Sequence, residues 1–315
     1  MNPELHLGVT PWRMGRALEA GSLCRQAEQA EAWGFDSFFL PESHFVATGP
    51  IPDPLLLLAA VAGRTRQLLL GTTSYLLPIR NPLLAAEQVA SLDQLCNGRL
   101  ILGLGRGYQR AMLDAFGVNA GDKRARFEAT LDLMLAAWRG EPIGDGDHGL
   151  TLSPLPQQQP HPPLWVAAFG PKAIAQCGRL GLPYLASPME SFTELRANFA
   201  AHREALVENG QAAPQTVAIM RTVFISENEG RVAQVRDKLA ASLANAPASA
   251  LRRDRDIDPD DWCLLGNAEQ VARQIQDHRE ALGVTHLIAV RPRVSGIEES
   301  WLVESLAALA CCRGA

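Results

Sequence analysis

Residues 67–108, QLLLGTTSYLLPIRNPLLAAEQVASLDQLCNGRLILGLGRGY, read as strand, loop, helix, turn and strand, ending in a glycine-rich loop that carries one arginine. Leu68–Leu70 is an apolar run of the kind a parallel strand needs when both its faces are covered. Asn81-Pro82 opens a helix whose Ala85, Val89, Leu92 and Cys96 share one stripe, and Asn97-Gly98 ends it. Arg99–Leu104 is the next buried strand. Parallel strands joined by helices present their reactive groups just past the strands' carboxyl ends. Here those positions hold Thr73, Ser74 and Arg106.

The same alternation recurs along the chain. Strands are expected at 5–9, 35–40, 67–74, 99–104, 164–168, 182–187, 217–225 and 285–290. Helical spacing lies between them: Leu23, Ala27 and Ala30; Phe127, Leu131, Leu135 and Trp138; Val271, Ile275 and Leu282. A last helix is expected over 297–310. Eight strands alternating with helices make a (β/α)8 TIM barrel, and 315 residues with 47% hydrophobic content suit one such barrel. Residues 141–163, rich in Gly, Pro and Gln, read as an insertion between the fourth helix and the fifth strand. Residues 245–262 are polar and poorly periodic, a candidate lid. No linker divides the chain, so 1–315 reads as a single domain.

A formal net charge of −5 and the lack of any basic run argue against a nucleic-acid partner. The amino terminus has no charged segment followed by an apolar run, and the longest apolar stretch, Leu55–Ala62, is too short to span a bilayer. The expectation is a cytoplasmic protein with no membrane association. Six cysteines without a CxxC pair make neither a disulfide framework nor a zinc module, and no metal site is expected. The Asp254, Asp256, Asp258, Asp260 alternation fails as a calcium loop, because Pro259 and Leu265 stand where its glycine and glutamate belong. Gly103–Tyr108 is GxGxGY, not the GxGxxG of a dinucleotide site.

The strand ends have chemical character. Glu42-Ser43-His44-Phe45 follows the second strand, Thr73-Ser74-Tyr75 the third and Gly105-Arg106-Gly107-Tyr108 the fourth. Phe169-Gly170-Pro171-Lys172 follows the fifth and Ser187 the sixth. Gly170-Pro171 opens a helix. It is either an ordinary turn or, with free N–H groups and the helix dipole, a phosphate site. Arg106 favours the second, since a guanidinium fork matches phosphate oxygens. His44 is either a general base near neutral pH or a loop histidine bonded to backbone or water. With no metal cluster or nucleophile motif, a bound organic cofactor would carry demanding chemistry.

At this point the chain resembles the bacterial luciferase-like family of flavin-dependent monooxygenases, nearly end to end. The matches are GFDSFFLPESHF (34–45), residues 71–108, PLWVAAFGPKAIAQCGRLGLPYLASP (163–188) and LLGNAEQVARQIQDHREALGVTHLIAV (264–290). The resemblance implies reduced FMN at the carboxyl face of the barrel, often in a homodimer. It implies a non-proline cis peptide at Thr73–Ser74, a phosphate contact from Arg106, and phosphate or ring contacts from Phe169, Gly170 and Ser187; Tyr108, on the Arg106 loop, joins this cofactor set. His44 is the candidate catalytic residue. Three positions depart from the family. Ser43 stands where luciferase has its catalytic histidine, Gly105 where it has a reactive cysteine, and Ala173 where it has a hydroxyl.

The function expected from the resemblance is a two-component monooxygenase: a separate reductase supplies reduced FMN, and O2 and a small organic substrate complete the reaction. Two alternatives keep the barrel. One is a deazaflavin-dependent oxidoreductase that transfers hydride, and the other a non-catalytic flavin-binding partner subunit.

Overall fold

The computed structural model describes residues 4–15, 19–144, 149–244 and 258–312. Its strands are β1 (His6–Val9), β2 (Ser37–Leu40), β3 (Leu69–Thr72), β4 (Tyr75–Leu76), β5 (Leu100–Gly105), β6 (Leu164–Ala167), β7 (Tyr184–Ala186), β8 (Ala218–Ile225), β9 (Cys263–Gly266) and β10 (His286–Val290). Its helices are α1 (Ala20–Trp33), α2 (Pro54–Ala62), α3 (Pro82–Leu95), α4 (Arg110–Ala115), α5 (Lys123–Trp138), α6 (Pro171–Arg179), α7 (Phe192–Glu208), α8 (Glu229–Ala244), α9 (Ala268–Leu282) and α10 (Glu299–Cys311). All eight expected strands are present and the fold class is a (β/α)8 barrel. The chain divides into two compact units. One holds Met1–Arg13, Ala32–Phe35 and Ala168–Ala315, the other Met14–Glu31 and Asp36–Ala167.

In the unit that contains Asp36–Ala167, β2 pairs with β3, β3 with β5 and β5 with β6, all parallel. Register sets large side chains against small ones. Phe39 lies opposite Gly71, and Gly103 opposite Trp165. The Phe39 and Trp165 rings stack with centroids 5.6 Å apart. A Cβ on Gly71 would sit 2.1 Å from Cε1 of Phe39, so that glycine leaves the room the ring occupies. The helices begin as their sequences require: Asn81 Oδ1 accepts the N–H groups of Leu83 and Leu84 at 3.1 Å, with Pro82 in the first turn of α3. The 141–163 insertion is pinned by Asp93 of α3, which is fully buried. Its two oxygens accept the backbone N–H and the side-chain amide of Gln158, each at 2.7 Å.

In the other unit, β1 pairs with β10, β10 with β8 and β8 with β7, again parallel. The strand β9 was not foreseen. It pairs with the last four residues of β8, Thr222–Ile225, of which Thr222 is also paired with Val290 of β10. Four apolar residues just before a helix cap carry no period of their own, which hides such a strand in the sequence. Asn267 and Gln270 form the capping box of α9, and Gly283 ends it at φ 74°. Of the 245–262 segment expected as a lid, residues 245–257 lie outside the described residues, and Asp254 and Asp256 with them. Pro259–Asp261 is one 3-10 turn capped by Asp258.

A buried polar layer backs β8 in this unit. The Arg221 guanidinium donates through Nη1 to the Glu190 carbonyl at 2.8 Å and through Nε to His278 Nε2 at 3.2 Å. His278 Nδ1 faces the Gln274 carbonyl at 2.7 Å, so the ring donates there and accepts from Arg221. Burial, then the Arg221 charge, pushes His278 down to about 4. Burial, then His6, pushes His286 down to about 4 as well; the two rings stack 4.6 Å apart.

Two expectations follow from this packing. Gly71→Ala should destabilise the protein by about 1–3 kcal/mol, the usual cost of overpacking a filled core, in urea unfolding at neutral pH. In the Gly71→Ala background, Phe39→Leu should recover part of the loss. Between pH 6.5 and 4 the unfolded chain binds protons that folded His278 and His286 exclude, so stability should fall as pH falls through that window. His278→Gln should flatten the slope by up to about 1.4 kcal/mol per pH unit, read from urea midpoints at several pH values.

Candidate active site

The sequence-predicted site residues fall in both units: His44, Thr73, Ser74, Arg106 and Tyr108 in one, Phe169, Gly170 and Ser187 in the other.

In the first group, the loop after β2 is organised by Glu42, whose side chain is wholly buried. Its Oε1 receives His44 Nε2 and Arg80 Nη2, each at 2.6 Å, and its Oε2 accepts the Leu76 N–H at 2.9 Å. The Arg80 guanidinium lies 4.3 Å over the Tyr75 ring. The His44 ring meets Phe116 edge-on, centroids 4.9 Å apart. Ser43, at the departure from the family, stitches its own loop: its hydroxyl accepts the Ile51 N–H at 3.0 Å and donates to the Gly49 carbonyl at 3.2 Å. Sequence reasoning singled out His44 and missed Arg80 as its neighbour across Glu42. The two lie 36 residues apart, and no local spacing joins them.

The Thr73–Ser74 peptide is cis, as the resemblance implies. Thr73 Oγ1 is buried and has no hydrogen-bond partner in this structure. Ser74 Oγ sits 2.0 Å from where a Cβ on Gly105 would be, so the serine side chain fills the space left by that glycine. Arg106 is 8% exposed, and its Nη2 donates to the Ala167 carbonyl at 3.1 Å. Lys123, at the start of α5, donates to the Gly107 carbonyl at 3.0 Å. Burial, then the Arg106 charge, holds the Lys123 ammonium below its ordinary range. Two cations therefore crowd the Gly105–Tyr108 loop, which suits an anionic group. Lys123 was not foreseen, because in sequence it is one of several cations that start a helix. Tyr108 projects outward, 80% exposed.

In the second group, Gly170 caps α6 with φ 81° and Pro171 follows in the first turn. A positive φ there is open to glycine at no steric cost. Phe169 is 44% exposed beside it, while Ala173 is buried. Ser187 follows β7, and its N–H donates to Glu190 Oε2 at 2.5 Å. Glu190 Oε1 also receives the Tyr184 hydroxyl, and Asn198 Nδ2 at 2.5 Å. Burial raises the Glu190 carboxyl against the pull of these donors, and the Tyr184 hydroxyl is pushed up by burial and by Glu190. The Ser187 loop is thus set by a carboxylate that takes three donors of its own unit, while Arg221 binds the backbone carbonyl of the same residue.

Comparison with known proteins converges. A family profile described as luciferase-like monooxygenase matches residues 7–286. The oxygenase component of the flavin-dependent trigonelline monooxygenase of Acinetobacter baylyi is 26% identical, over 66% of this chain and 59% of that protein. The oxygenating constituent of 3,6-diketocamphane monooxygenase from Pseudomonas putida, solved with FMN, superposes with a TM-score of 0.81 at 20% identity, covering 98% of this chain and 97% of that one. An F420-dependent secondary alcohol dehydrogenase superposes with a TM-score of 0.75 at 17% identity, covering 97% and 99%. The chain belongs to the luciferase-like monooxygenases, a family of oxidoreductases.

Proposed function

We propose that this chain is the oxygenase component of a two-component flavin monooxygenase, which takes reduced FMN from a separate reductase and uses O2 to oxidise a small organic substrate. The observation that carries the reading is the unpartnered, buried Thr73 hydroxyl at the carboxyl end of β3. A buried hydroxyl without a partner costs about 1–3 kcal/mol, and a bound group with a donor or acceptor at that point would remove the cost. The residues present fit FMN: hydroxyls of Thr73 and Ser74 toward a ring, and the cations of Arg106 and Lys123 toward a phosphate. Bound reduced FMN would supply the two electrons and the centre at which O2 reacts.

The protein's own residues would bind, orient and exclude water. Arg106 and Lys123, both in one unit, would hold the phosphate; Gly170, where the other unit's α6 begins, is proposed from the resemblance alone as a cofactor contact. Phe169, Ser187 and Tyr108 are the remaining proposed cofactor contacts. His44, fixed by Glu42, would move a proton. Organic cofactors perform such chemistry only where side chains keep competing water away. The assembly we propose is a cytoplasmic homodimer of a single domain spanning 1–315. No helix among the described residues is long and apolar enough to cross a membrane.

The likeness to an F420-dependent dehydrogenase supports a second reading, in which a deazaflavin occupies the same barrel and hydride transfer replaces oxygenation. Ser43, spent on tying its loop, supports a third, a flavin-binding partner subunit without turnover.

Anaerobic titration separates these. Reduced FMN should bind more tightly than reduced F420, and Arg106→Ala should weaken it at least about tenfold, the worth of one charge-assisted hydrogen bond. On mixing with O2, the oxygenase should return oxygenated product from a panel of aldehydes and ketones. Preference for reduced F420 would favour hydride transfer. Release of only hydrogen peroxide, across the panel, would favour the partner subunit.

A further inference from the structure

We propose that Glu42 and Arg80 are a positioning pair that fixes His44 with its proton on Nε2 and leaves Nδ1 as the nitrogen that exchanges a proton with the reacting molecule. The inference rests on the reading of His44 as the proton-transfer group and adds which atom works and what holds it.

The argument begins with the carboxylate. Glu42 has no exposed side-chain surface, and a buried carboxylate persists only where donors and an opposite charge surround it. Three donors converge on it: His44 and Arg80 share Oε1, each at 2.6 Å, and the Leu76 N–H takes Oε2 at 2.9 Å. Both N···O distances lie just below the short end of the range for charge-assisted bonds. A guanidinium is a fixed cation in proteins, so a carboxylate paired with one keeps a compensating charge that does not depend on a neighbouring imidazole. An ionised carboxylate only accepts, so the ring nitrogen facing it must carry hydrogen. That nitrogen is Nε2. In the neutral ring the lone pair is then on Nδ1.

The surroundings keep this arrangement single. Arg80 is seated over the Tyr75 ring, whose hydroxyl donates to Gln88 Oε1 at 3.3 Å. The His44 ring plane is set by the edge contact with Phe116 and by Phe45, centroids 4.9 and 6.0 Å away. Glu42 therefore orients the base, and Arg80 keeps Glu42 an acceptor while His44 gains and loses its proton. A neutral residue at position 80 would leave the imidazole as the only compensating group for a buried charge. The tautomer would then no longer be dictated by an acceptor of fixed state.

The test is nitrogen NMR of the whole protein with labelled histidine, His44 being assigned by its loss in His44→Ala. In the wild-type protein at neutral pH the His44 correlations should show a protonated Nε2 and an unprotonated Nδ1. Arg80→Met should lose that single pattern and Arg80→Lys should keep it. In turnover with reduced FMN and O2, Arg80→Met should lower kcat about tenfold or more, the lower part of what a positioned acid–base group supplies, with affinity for reduced FMN unchanged. Arg80→Lys should restore most of the rate. A protonated Nδ1 in the wild-type protein overturns the assignment, as does an Arg80→Met ring with the wild-type pattern. The wild-type spectrum needs no variant to fold and no turnover. If His44→Ala retains full turnover, the proton-transfer reading fails and the working role of Nδ1 fails with it, while the ring pattern still reports the positioning separately.

Discussion

A carboxylate sealed from water has to collect donors from whatever lies nearby, and in each unit one such group shapes the loop that follows a strand. Glu42 gathers a histidine, an arginine and the N–H of Leu76, joining the end of β2 to β4. Glu190 gathers a tyrosine, an asparagine and the N–H of Ser187, joining the end of β7 to α7. Loops at the carboxyl ends of barrel strands carry the chemistry of this fold but have no ladder to hold them. Here charge, desolvated and then satisfied, does the work that hydrogen-bonded strand pairing does below.

Beneath those loops the interior follows a simpler rule. Parallel strands covered on both faces must fill their inner side with side chains that mesh, so bulk at one position demands its absence at the neighbour. Phe39 and Trp165 supply the bulk, and Gly71 and Gly103 supply the gaps. The glycines of GLGRGY therefore divide by role. Gly103 belongs to the core layer, Gly105 to the contact with Ser74, and Gly107, at φ 69°, to the turn that exposes Tyr108.

Most of the architecture is legible in the sequence, for physical reasons. The strand at 100–105 is apolar throughout and bounded by turn signals. The α3 stripe of Ala85, Val89 and Leu92 is buried as its spacing demands. What was hidden lacked either length or locality. Strand β9 is four residues long, and α4 only six. Arg80 joins His44 only through a third residue, and Lys123 meets the Arg106 loop from another helix. Long-range electrostatic partnerships leave no period behind, whereas helix and strand do. The resemblance located the rim positions, and the contacts between them came from the fold.

The interlock of Ser74 with Gly105 bears on how such a site can change over time. The hydroxyl of one already fills the volume that any side chain on the other would need, so the two positions are not free to drift separately. A side chain at 105 would require the Ser74 side chain to move or to be lost. The glycine at 105 is thus the complement of the serine that follows the neighbouring strand, and a change at either position is felt at both.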